Sequence, residues 1–311
     1  MEITRITPQA FDTHFPNATC FNQAAFNLLN SDLCDDLHCL LFGDTKVRLG
    51  LIAGQRGSSL MAPFSAPFGG FSTTDSKIRI TYIEEAVTLL EKYATQTGIN
   101  RMEMILPPLF YDTAFLTKVM QVLHEQGWSM QDIDLNFYVD LVSTTEANHF
   151  GMTYSARKHL KKASAHPFQL KKGTSVDDLS LAYDIIAENR SSKGYTLSMS
   201  KDRLMATSEV VHMDSFLLEL EGQYVASAIV YQVTPAIPQV VYWGDIPGFE
   251  PFRTMNFLTK AVIDTYRNEG FKMLDTGTAM IESSPNHGLC AFKESIGCDI
   301  LPRCRFVKEL R

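Results

Sequence analysis

Residues 223–297 decide the fold, because in this segment apolar strands alternate with one amphipathic helix and a glycine-containing turn. In order, the segment contains QYVASAIVYQV (223–233), VVYWGD (240–245), RTMNFLTKAVIDTYRNEG (253–270), MLDTGT (273–278) and GLCAFKESIG (288–297). Short apolar runs rich in Val, Ile and Tyr are typical of strands buried on both faces. The helix places its apolar residues on one side and ends at Gly270. We therefore predict strand, strand, helix, strand and a short final helix.

The composition indicates a chain that folds around a sizeable core. The sequence has 311 residues, of which 45% are hydrophobic and 20% charged, and this suits one large or two medium domains. No run approaches the roughly 20 apolar residues of a membrane helix. The first residues, MEITRITPQAF, lack the pattern of a secretory signal. We therefore expect a cytoplasmic protein without a membrane span.

Charge and cysteine usage argue against further classes of protein. The net charge of −7 disfavours a general nucleic-acid binder, and DNA is not an expected partner. The six cysteines form no CxxC pair and no zinc-ligand spacing. We predict reduced, mostly buried thiols and no metal site.

Turn signals and hydrophobic periodicity divide the chain into two halves of similar outline. Each half is predicted to contain several strands followed by helix, strand, helix and strand. The boundary is placed in the polar connection 143–154, which gives domains of 1–150 and 151–311. In the first half we predict helices at 21–30, 78–97 and 114–126 and strands at 38–43, 46–55, 57–64, 101–106 and 133–141. In the second half we predict helices at 155–163, 176–190, 201–211 and 253–268 and strands at 168–171, 215–221, 224–233 and 239–244.

Six motifs of the second half resemble, in their order, the FemAB-like peptidyltransferases and a related group of acetyltransferases, which are variants of the GNAT acyltransferase fold. The motifs are SARKHLKKA (155–163), ENRSSKGY (188–195), YWGD (242–245), RTMNFL (253–258), LDTGT (274–278) and GLCAFKESIG (288–297). In the first half, APFGGF (66–71) before a helix is similar to the companion domain of these tandem proteins. The resemblance covers residues 153–305 in sequence and the rest by architecture.

This resemblance implies an α+β fold of two tandem GNAT-like domains, each a mixed sheet flanked by helices. The N-terminal domain is then degenerate, and the C-terminal domain carries the site. The implied activity is transfer of an acyl or aminoacyl group to an amine acceptor, which is a small molecule or a peptide such as a cell-wall precursor. The amine attacks the donor carbonyl directly, so that no covalent nucleophile is needed. Under this reading tRNA is a partner, as the carrier of an aminoacyl donor.

The loop IPGFEPFRT (246–254) bears on the donor. GNAT enzymes that use acyl-CoA hold its pyrophosphate on backbone N–H groups of a glycine-rich loop at a helix N-terminus. Here the loop has one glycine and two prolines, Pro247 and Pro251, which supply no N–H donor. We expect no tightly bound cofactor. The donor stays open between acyl-CoA and aminoacyl-tRNA, and the FemAB-like resemblance implies the second.

Three residues are candidate catalytic groups. By resemblance, Lys293 lies at the acyl-transfer centre, where an ammonium group can stabilise the developing oxyanion or anchor a phosphate. Tyr242 and Asp245 lie at the end of a strand, where a hydroxyl or a carboxylate can assist proton removal from the attacking amine. The structural alternatives are a solvated helix lysine and packing residues at a strand end.

Nine further residues are predicted to contact substrates. Arg157 and Lys161 share one helix face and form a phosphate-recognition surface for a nucleotide-linked precursor or tRNA. Phe292 and Trp243 shape the pocket wall, and Asp275 orients the acceptor amine. The remaining predicted contacts lie in two loops and are Ser283, His287, Phe68 and Gly69. Their structural alternatives are a solvated helix face, core packing and turn formation.

Two alternatives to a FemAB-type acyltransferase stay open. One is an acyl-CoA-dependent N-acetyltransferase, which CoA binding would favour. The other is a non-catalytic binding or scaffold protein with the same fold, which an unchanged phenotype after Lys293→Ala would favour.

Overall fold

The computed structural model describes residues 1–143 and 151–310. The chain forms two compact units, one made of Met1–Leu135 and the C-terminal segment from Leu301, the other of Asn136–Ile300. We call them unit 1 and unit 2. The predicted boundary at 143–154 falls partly on residues 144–150, which lie outside the described residues. The return of the C-terminal segment to unit 1 is a feature that the predicted division into 1–150 and 151–311 does not contain.

Helices and strands follow one another along both units, with short 3₁₀ turns between some of them. The α-helices are α1 (Pro8–His14), α2 (Ala24–Leu29), α3 (Ile80–Gln96), α4 (Thr113–Glu125), α5 (Tyr154–Ala163), α6 (Val176–Ser192), α7 (Lys201–Ser208), α8 (Thr254–Asn268) and α9 (His287–Ser295). The β-strands are β1 (Glu2–Arg5), β2 (Asp36–Gly43), β3 (Val47–Arg56), β4 (Ser59–Ala62), β5 (Phe71–Ser72), β6 (Arg101–Ile105), β7 (Ser129–Asp140), β8 (Gln169–Gly173), β9 (Met213–Leu220), β10 (Gln223–Thr234), β11 (Ile237–Asp245), β12 (Met273–Thr278), β13 (Met280–Ile281), β14 (Ser284–Pro285) and β15 (Asp299–Glu309).

In unit 1 the sheet runs in the order β1, β2, β3, β4, β6, β15, and β5 also pairs with β3. Strands β4 and β6 are parallel and are connected through α3. Helix α3 turns Ile83, Val87, Leu90 and Ala94 inwards, because a spacing of three and four residues gives one apolar stripe. This stripe packs into the core formed by β2, β3, β6 and α4.

In unit 2 the sheet runs in the order β7, β12, β11, β10, β9, β8, with the part of β7 from Asn136 belonging to this unit. Strands β9 and β10 are buried along almost their whole length, as their continuous apolar sequences predict. Helices α6 and α8 pack against these strands. Helix α8 buries Leu258, Val262, Ile263 and Tyr266 on one side. Each unit is thus a mixed sheet flanked by helices, and the predicted fold class is confirmed.

The sheet of unit 2 is interrupted between its two parallel strands. Strands β11 and β12 pair at a single position, where Gln239 lies opposite Asp275. Immediately after it β12 has a bulge, and Gly277 takes a φ of 73°, which favours glycine. Past the bulge the two strands do not pair, and α9 contacts both of them. Phe292 packs on Trp243 of β11, and Lys293 bonds to the backbone of β12.

Several elements were not predicted, namely β1, α1, β5, the hairpin β13–β14 and β15. Strand β15 was not predicted because it contains Pro302 and several charged residues, which are unusual in a strand. Its pairing with β6 is visible only in the structure. The helix predicted at 21–30 is a 3₁₀ turn followed by α2. The side chain of Asn27 donates to the carbonyls of Phe21 and Gln23, both at 2.8 Å, and so stabilises this break. The helix predicted at 201–211 ends at Ser208.

Membrane, metal and thiol features can be stated for the described residues. None of their helices is both long and apolar enough to cross a bilayer. No group of three or more His, Cys, Asp or Glu side chains among them is arranged to hold a metal ion. All six cysteines are unpaired and five are buried, where they act as small apolar side chains. Burial raises the pKa of the Cys39 thiol to about 12, so that this side chain is unreactive.

Gly50 of β3 is a position where the fold depends on the absence of a side chain. A Cβ atom there would lie 2.2 Å from Phe15 Cε2 and 2.7 Å from Phe11 Cε2. We expect Gly50→Ala to lower the free energy of unfolding by about 1–3 kcal/mol, since overpacked cores must distort. Urea unfolding followed by circular dichroism measures the change.

A matched control for Gly50→Ala is Gly288→Ala, in helix α9. Its Cβ would meet no atom nearer than 3.6 Å. We expect this variant to be as stable as the native protein or slightly more stable, because alanine favours a helix over glycine. Equal effects of the two substitutions would show that the packing of Phe11 and Phe15 does not limit this position.

Candidate functional site

A cavity of about 580 Å³ opens in unit 2 at the carboxyl end of β11. Its volume falls within the range of about 300–1,000 Å³ that small-molecule sites occupy. The lining residues are Asn189, Arg190, Lys193, Tyr195, Trp243, Gly244, Asp245, Met255, Asn286, Gly288, Leu289 and Phe292. Three of the predicted site residues, Trp243, Asp245 and Phe292, are thus brought together in one cavity. We call it the unit 2 cavity.

Four elements supply the lining through their ends. Helix α6, with the residues just after it, and strand β11 contribute their C-terminal ends, and helices α8 and α9 contribute residues of their first two turns. The close approach of α6 to β11 depends on Gly244, because a Cβ atom there would lie 2.9 Å from Cγ of Asn189. Chain ends that converge in this way place polar side chains and backbone groups around a shared space.

The polar floor of the unit 2 cavity is a network around Asp245. One carboxylate oxygen accepts from Thr254 Oγ1 at 2.5 Å, and the other from Asn189 Nδ2 at 3.3 Å. The same Asn189 amide also donates to the backbone carbonyl of Asp245 at 2.6 Å. Burial raises the pKa of Asp245 above its usual value, against the opposing effect of the Thr254 hydrogen bond. The network fixes a carboxylate whose proton affinity is higher than that of a solvated Asp.

Two cations line the same cavity. Arg190 is partly buried and forms no ion pair with a described carboxylate, and burial lowers the pKa of its guanidinium. Lys193 lies one turn further along the chain, and its Nζ donates to Asn189 Oδ1 at 3.3 Å. Arginine stays charged in proteins despite such a shift. The cavity therefore offers a guanidinium group to an anionic substrate.

Lys293 lies beneath this cavity and does not line it. The side chain is 1% exposed, and Nζ donates to the carbonyls of Thr276, Gly277 and Thr278 at 2.7, 2.9 and 3.1 Å. These bonds use all three hydrogens of the ammonium group. Burial lowers the pKa of Lys293 to about 8. The lysine therefore holds the end of β12, and its predicted contact with an oxyanion would require the exchange of one of these bonds.

The aromatic predictions divide between the cavity and its surroundings. The rings of Trp243 and Phe292 meet edge to face, with centroids 6.0 Å apart, and form one wall. The neighbouring Tyr242 does not line the cavity. Its hydroxyl lies 3.1 Å from Ser198 Oγ, on the segment that follows α6. Side chains alternate along a strand, so Tyr242 and Trp243 face opposite sides of β11.

The three polar predictions on β12 and the loop after it also lie outside the cavity lining. Asp275 is fully buried, and its carboxylate accepts from Asn136, Gln239 and the backbone N–H of Gly277 at 2.7–2.9 Å. This structural role leaves it no access to a substrate amine. Ser283 is exposed in the β13–β14 hairpin, where it takes a φ of 62°. His287 is exposed at the first position of α9.

The basic helix predicted at 155–163 is α5, and it packs against α8. Arg157 donates to the carbonyl of Met152 at 2.7 Å, whereas Lys161 is exposed. The basic residues of β8 do not extend this surface, because Lys171 pairs with Asp178 at 2.6 Å and Lys172 with Glu269 at 2.7 Å. Neither Arg157 nor Lys161 lines the unit 2 cavity.

The two predicted loop residues of the first half lie in unit 1. Phe68 is fully buried, with its ring centroid 5.1 Å from that of Phe21 and 4.9 Å from that of Tyr111. The backbone N–H of Gly69 donates to the carbonyl of Ile105 at 2.8 Å. Both residues therefore serve the packing of unit 1, and a buried Phe68 is not accessible to a substrate.

Sequence reasoning missed both cations of the unit 2 cavity and two polar residues beside them. Asn189, Arg190, Lys193 and Tyr195 all belong to the quoted motif ENRSSKGY, but none was singled out. The available signal was their position at the polar end of a predicted helix, where side chains project past the last turn. Asn286, the N-cap of α9, was also missed.

In the loop before α8, the carboxylate of Glu250 accepts a hydrogen bond from the loop's own backbone. Glu250 accepts from the N–H of Gly248 at 3.0 Å, and Arg253 takes a left-handed conformation with a φ of 62° just before the helix. An acidic side chain at a loop N–H competes with any anion for that donor.

Comparison with solved structures shows the fold. The chain is similar to the crystal structure of FemX, with a TM-score of 0.73 at 13% identity, over 100% of this chain and 98% of that one. It is also similar to the C-terminal domain of a protein described as a lysylphosphatidylglycerol synthetase from Agrobacterium fabrum, with a TM-score of 0.62 at 14% identity over 96% and 90% of the two chains. A tandem GNAT protein of the clavulanic acid biosynthesis pathway aligns with a TM-score of 0.53 at 9% identity, over 99% and 98%.

These likenesses confirm the predicted resemblance to FemAB-like and tandem GNAT proteins at the level of fold. No protein-family model and no curated protein sequence matches the chain. The chain therefore shares its fold with FemX and a tandem GNAT protein, while its activity and substrates have to be inferred from its own residues.

Lys293 predicts a distinctive pH dependence of stability. Its pKa of about 8 in the folded protein lies below its usual 10.5, so between these pH values the unfolded chain binds more protons. The contribution of this site to stability therefore rises with pH across that window, by about 3 kcal/mol at most, since one pKa unit corresponds to about 1.4 kcal/mol. We expect Lys293→Met to lose this rise, as measured by urea unfolding at pH 7 and pH 10.

The control for Lys293→Met is Lys201→Met, at a lysine that pairs with Asp184 at 2.7 Å on the surface. Its stability difference from the native protein should stay nearly constant between the two pH values, because surface pairs contribute little. A constant difference for Lys293→Met as well would contradict a depressed pKa at that position.

Proposed function

We propose that this protein is an acyltransferase that moves an acyl or aminoacyl group onto an amine acceptor in the unit 2 cavity. The observation that carries this proposal is the meeting of a buried carboxylate, Asp245, with the cations Arg190 and Lys193 and an aromatic wall in one cavity. A carboxylate with a raised pKa suits proton transfer, and the cations suit an anionic substrate. The fold shared with FemX and a tandem GNAT protein supports the reaction class.

In the proposed reaction the amine nitrogen of the acceptor attacks the donor carbonyl carbon and forms a C–N bond. The nitrogen then loses a proton to the carboxylate of Asp245, which Thr254 and Asn189 hold in place. The bond from the carbonyl carbon to the leaving oxygen or sulfur breaks as the intermediate collapses. Asp245 returns the proton to that leaving atom, so that the carboxylate is regenerated. No covalent enzyme intermediate is required.

Lys293 supports this reaction from below the cavity. Its ammonium group lies 5.9 Å from the ring centroid of Trp243, and its three hydrogen bonds fix the end of β12. A fixed positive charge near the cavity favours negative charge on the donor oxygen in the transition state. We therefore propose an electrostatic and positioning role for Lys293, and we assign the proton transfer to Asp245.

Two observations support the proposal of an aminoacyl ester rather than acyl-CoA as the donor. The loop before α8 has two prolines without N–H groups, and Glu250 already occupies the N–H of Gly248. The names of the similar structures include FemX and a lysylphosphatidylglycerol synthetase. We propose an aminoacyl-tRNA donor and an amine acceptor that carries a phosphate or carboxylate for Arg190. A cell-wall precursor is one acceptor with this chemistry.

The proposal is tested with purified protein, aminoacyl-tRNAs, acyl-CoAs and amine-containing cell-wall precursors, with products identified by mass spectrometry. We expect acyl transfer to an amine that Asp245→Asn slows by about 10²–10⁴-fold, the usual contribution of a positioned general base. The control Asp177→Asn, at an exposed carboxylate of α6, should retain full activity. Transfer that is unchanged in Asp245→Asn would refute the assignment of the base, and no transfer from any donor would refute the enzymatic proposal.

Arg190 is expected to act in substrate binding. We expect Arg190→Gln to raise KM for the anionic substrate by about 10–100-fold with a smaller change in kcat, because one charge-assisted interaction is lost. Arg190→Lys should restore part of the affinity, since it keeps the charge without the planar fork. Steady-state kinetics of these variants and of Lys161→Gln measure the effect. A larger KM increase in Lys161→Gln than in Arg190→Gln would place substrate binding on α5 instead.

A further inference from the structure

A second cavity, in unit 1, has a lining dominated by positive charge. It has a volume of about 280 Å³ and lies beside the N-terminus of helix α3. Its lining contains four cationic side chains and one carboxylate, together with an aromatic ring and three uncharged aliphatic or hydroxyl side chains. The lining residues are Lys46, Val47, Arg48, Thr74, Asp75, Lys77, Ile78, Arg79 and Tyr82. None of the four cations forms an ion pair with a carboxylate in the described part of the chain.

Two separate chain segments bring these cations together. Lys46 and Arg48 come from the turn between β2 and β3 and from the start of β3. Lys77 and Arg79 come from the segment that leads into α3. The two segments are joined by Thr73, whose hydroxyl donates to the carbonyl of Arg48 at 3.2 Å. The convergence of the four charges is therefore built into the fold of unit 1.

Arg48 has the environment of a ligand-binding guanidinium. Its Cζ lies 4.4 Å from the ring centroid of Tyr82, so that the planar group is held against the aromatic face. Its Nε is buried and has no hydrogen-bond partner. A ligand in the cavity would therefore bond to the terminal N–H groups of this guanidinium, which lines the cavity.

The N-terminus of α3 adds to the attraction for an anion. This helix is 17 residues long, it has no side-chain cap, and its first turn contains no acidic residue. The N–H groups and the dipole of such a terminus favour a bound anion. Two acidic groups oppose the cations. Asp75 lines the cavity and accepts from the N–H of Lys77 at 2.9 Å, and Asp44 lies within electrostatic range of Arg48.

From this geometry we propose that the unit 1 cavity binds a phosphate or diphosphate group. Four cations, one of them a guanidinium held against an aromatic ring, and a helix N-terminus match the charge and the several acceptor oxygens of that group. The volume, below that of most small-molecule sites, suits the phosphate end of a ligand rather than a whole nucleotide. This binding site is separate from the acyl-transfer chemistry proposed for unit 2 and does not depend on it.

The test is calorimetric titration of the full chain with inorganic pyrophosphate and phosphate at low ionic strength. We expect saturable binding that Arg48→Gln/Arg79→Gln weakens by at least about tenfold, because two charge-assisted contacts are lost. The double variant Lys92→Gln/Lys158→Gln removes the same charge from exposed lysines outside the cavity and should bind like the native protein. Circular dichroism checks that the variants are folded. If the substitution of Arg48 prevents folding, Arg79→Gln alone, at an exposed side chain, gives the same test.

Three outcomes would overturn the proposal. The first is no saturable heat with pyrophosphate or phosphate up to about 10 mM, well above the range of a specific site. The second is an equal loss of affinity in the control double variant, which would show non-specific attraction. The third is binding that Arg190→Gln abolishes while Arg48→Gln/Arg79→Gln leaves it unchanged, which would place the anion in unit 2. Titration with ADP and UDP then identifies the source of the diphosphate. If the natural ligand is a nucleotide, ADP or UDP binds more tightly than pyrophosphate. If it is the free anion, neither nucleotide binds more tightly.

Discussion

The structure beneath the unit 2 cavity depends on one buried ammonium group, that of Lys293. Lys293 reaches from α9 to the bulge of β12, where the carbonyls of Thr276, Gly277 and Thr278 point to one place. A regular strand sends successive carbonyls to opposite sides and pairs them with neighbouring strands, so this arrangement needs a special donor. An ammonium group with three hydrogens satisfies all three acceptors at once. Leaving a buried acceptor without a partner costs about 1–3 kcal/mol, which makes the lysine the link between α9 and the interrupted sheet.

For the charged form of Lys293, the cost of removing the ammonium group from water is close to the free energy gained from its contacts. Removing an ion from water costs several kcal/mol, whereas hydrogen bonds to charged groups return about 1.5–3 kcal/mol each. The rings of Phe137 and Trp243, with centroids 5.3 and 5.9 Å from Nζ, add a smaller attraction. Burial outweighs these gains and lowers the pKa to about 8, while the three carbonyl acceptors around Nζ suit the protonated form. A protonated lysine thus lies under the cavity wall, next to the pair of strands that α9 separates.

The sequence predicted the fold better than the site. The spacing of apolar residues indicates which side of a helix or strand is buried, whereas a cavity depends on how the ends of separate helices and strands meet. The buried face of α3 and the apolar strands β9 and β10 follow directly from residue spacing. Strand β15 was not predicted, because its proline and charged residues do not form a strand pattern and its stability comes from pairing with β6. In the site, Trp243, Asp245 and Phe292 were found through strand ends and motif order. Arg190 was not, because nothing local shows that a polar residue at a helix end will line the same cavity as these three residues.

The two cavities differ in how acidic and basic side chains are combined in their linings. This difference is the reason for proposing catalysis in unit 2 and anion binding in unit 1. In unit 2 the cations Arg190 and Lys193 share a cavity with Asp245, a carboxylate that is buried, held by two donors and raised in pKa. Such a cavity can both attract an anionic substrate and accept a proton within it. In unit 1 the acidic member, Asp75, is exposed and is engaged by the N–H of Lys77 in a turn. Four cations around one small cavity, with no buried carboxylate among its lining residues, fit the anion recognition proposed for it.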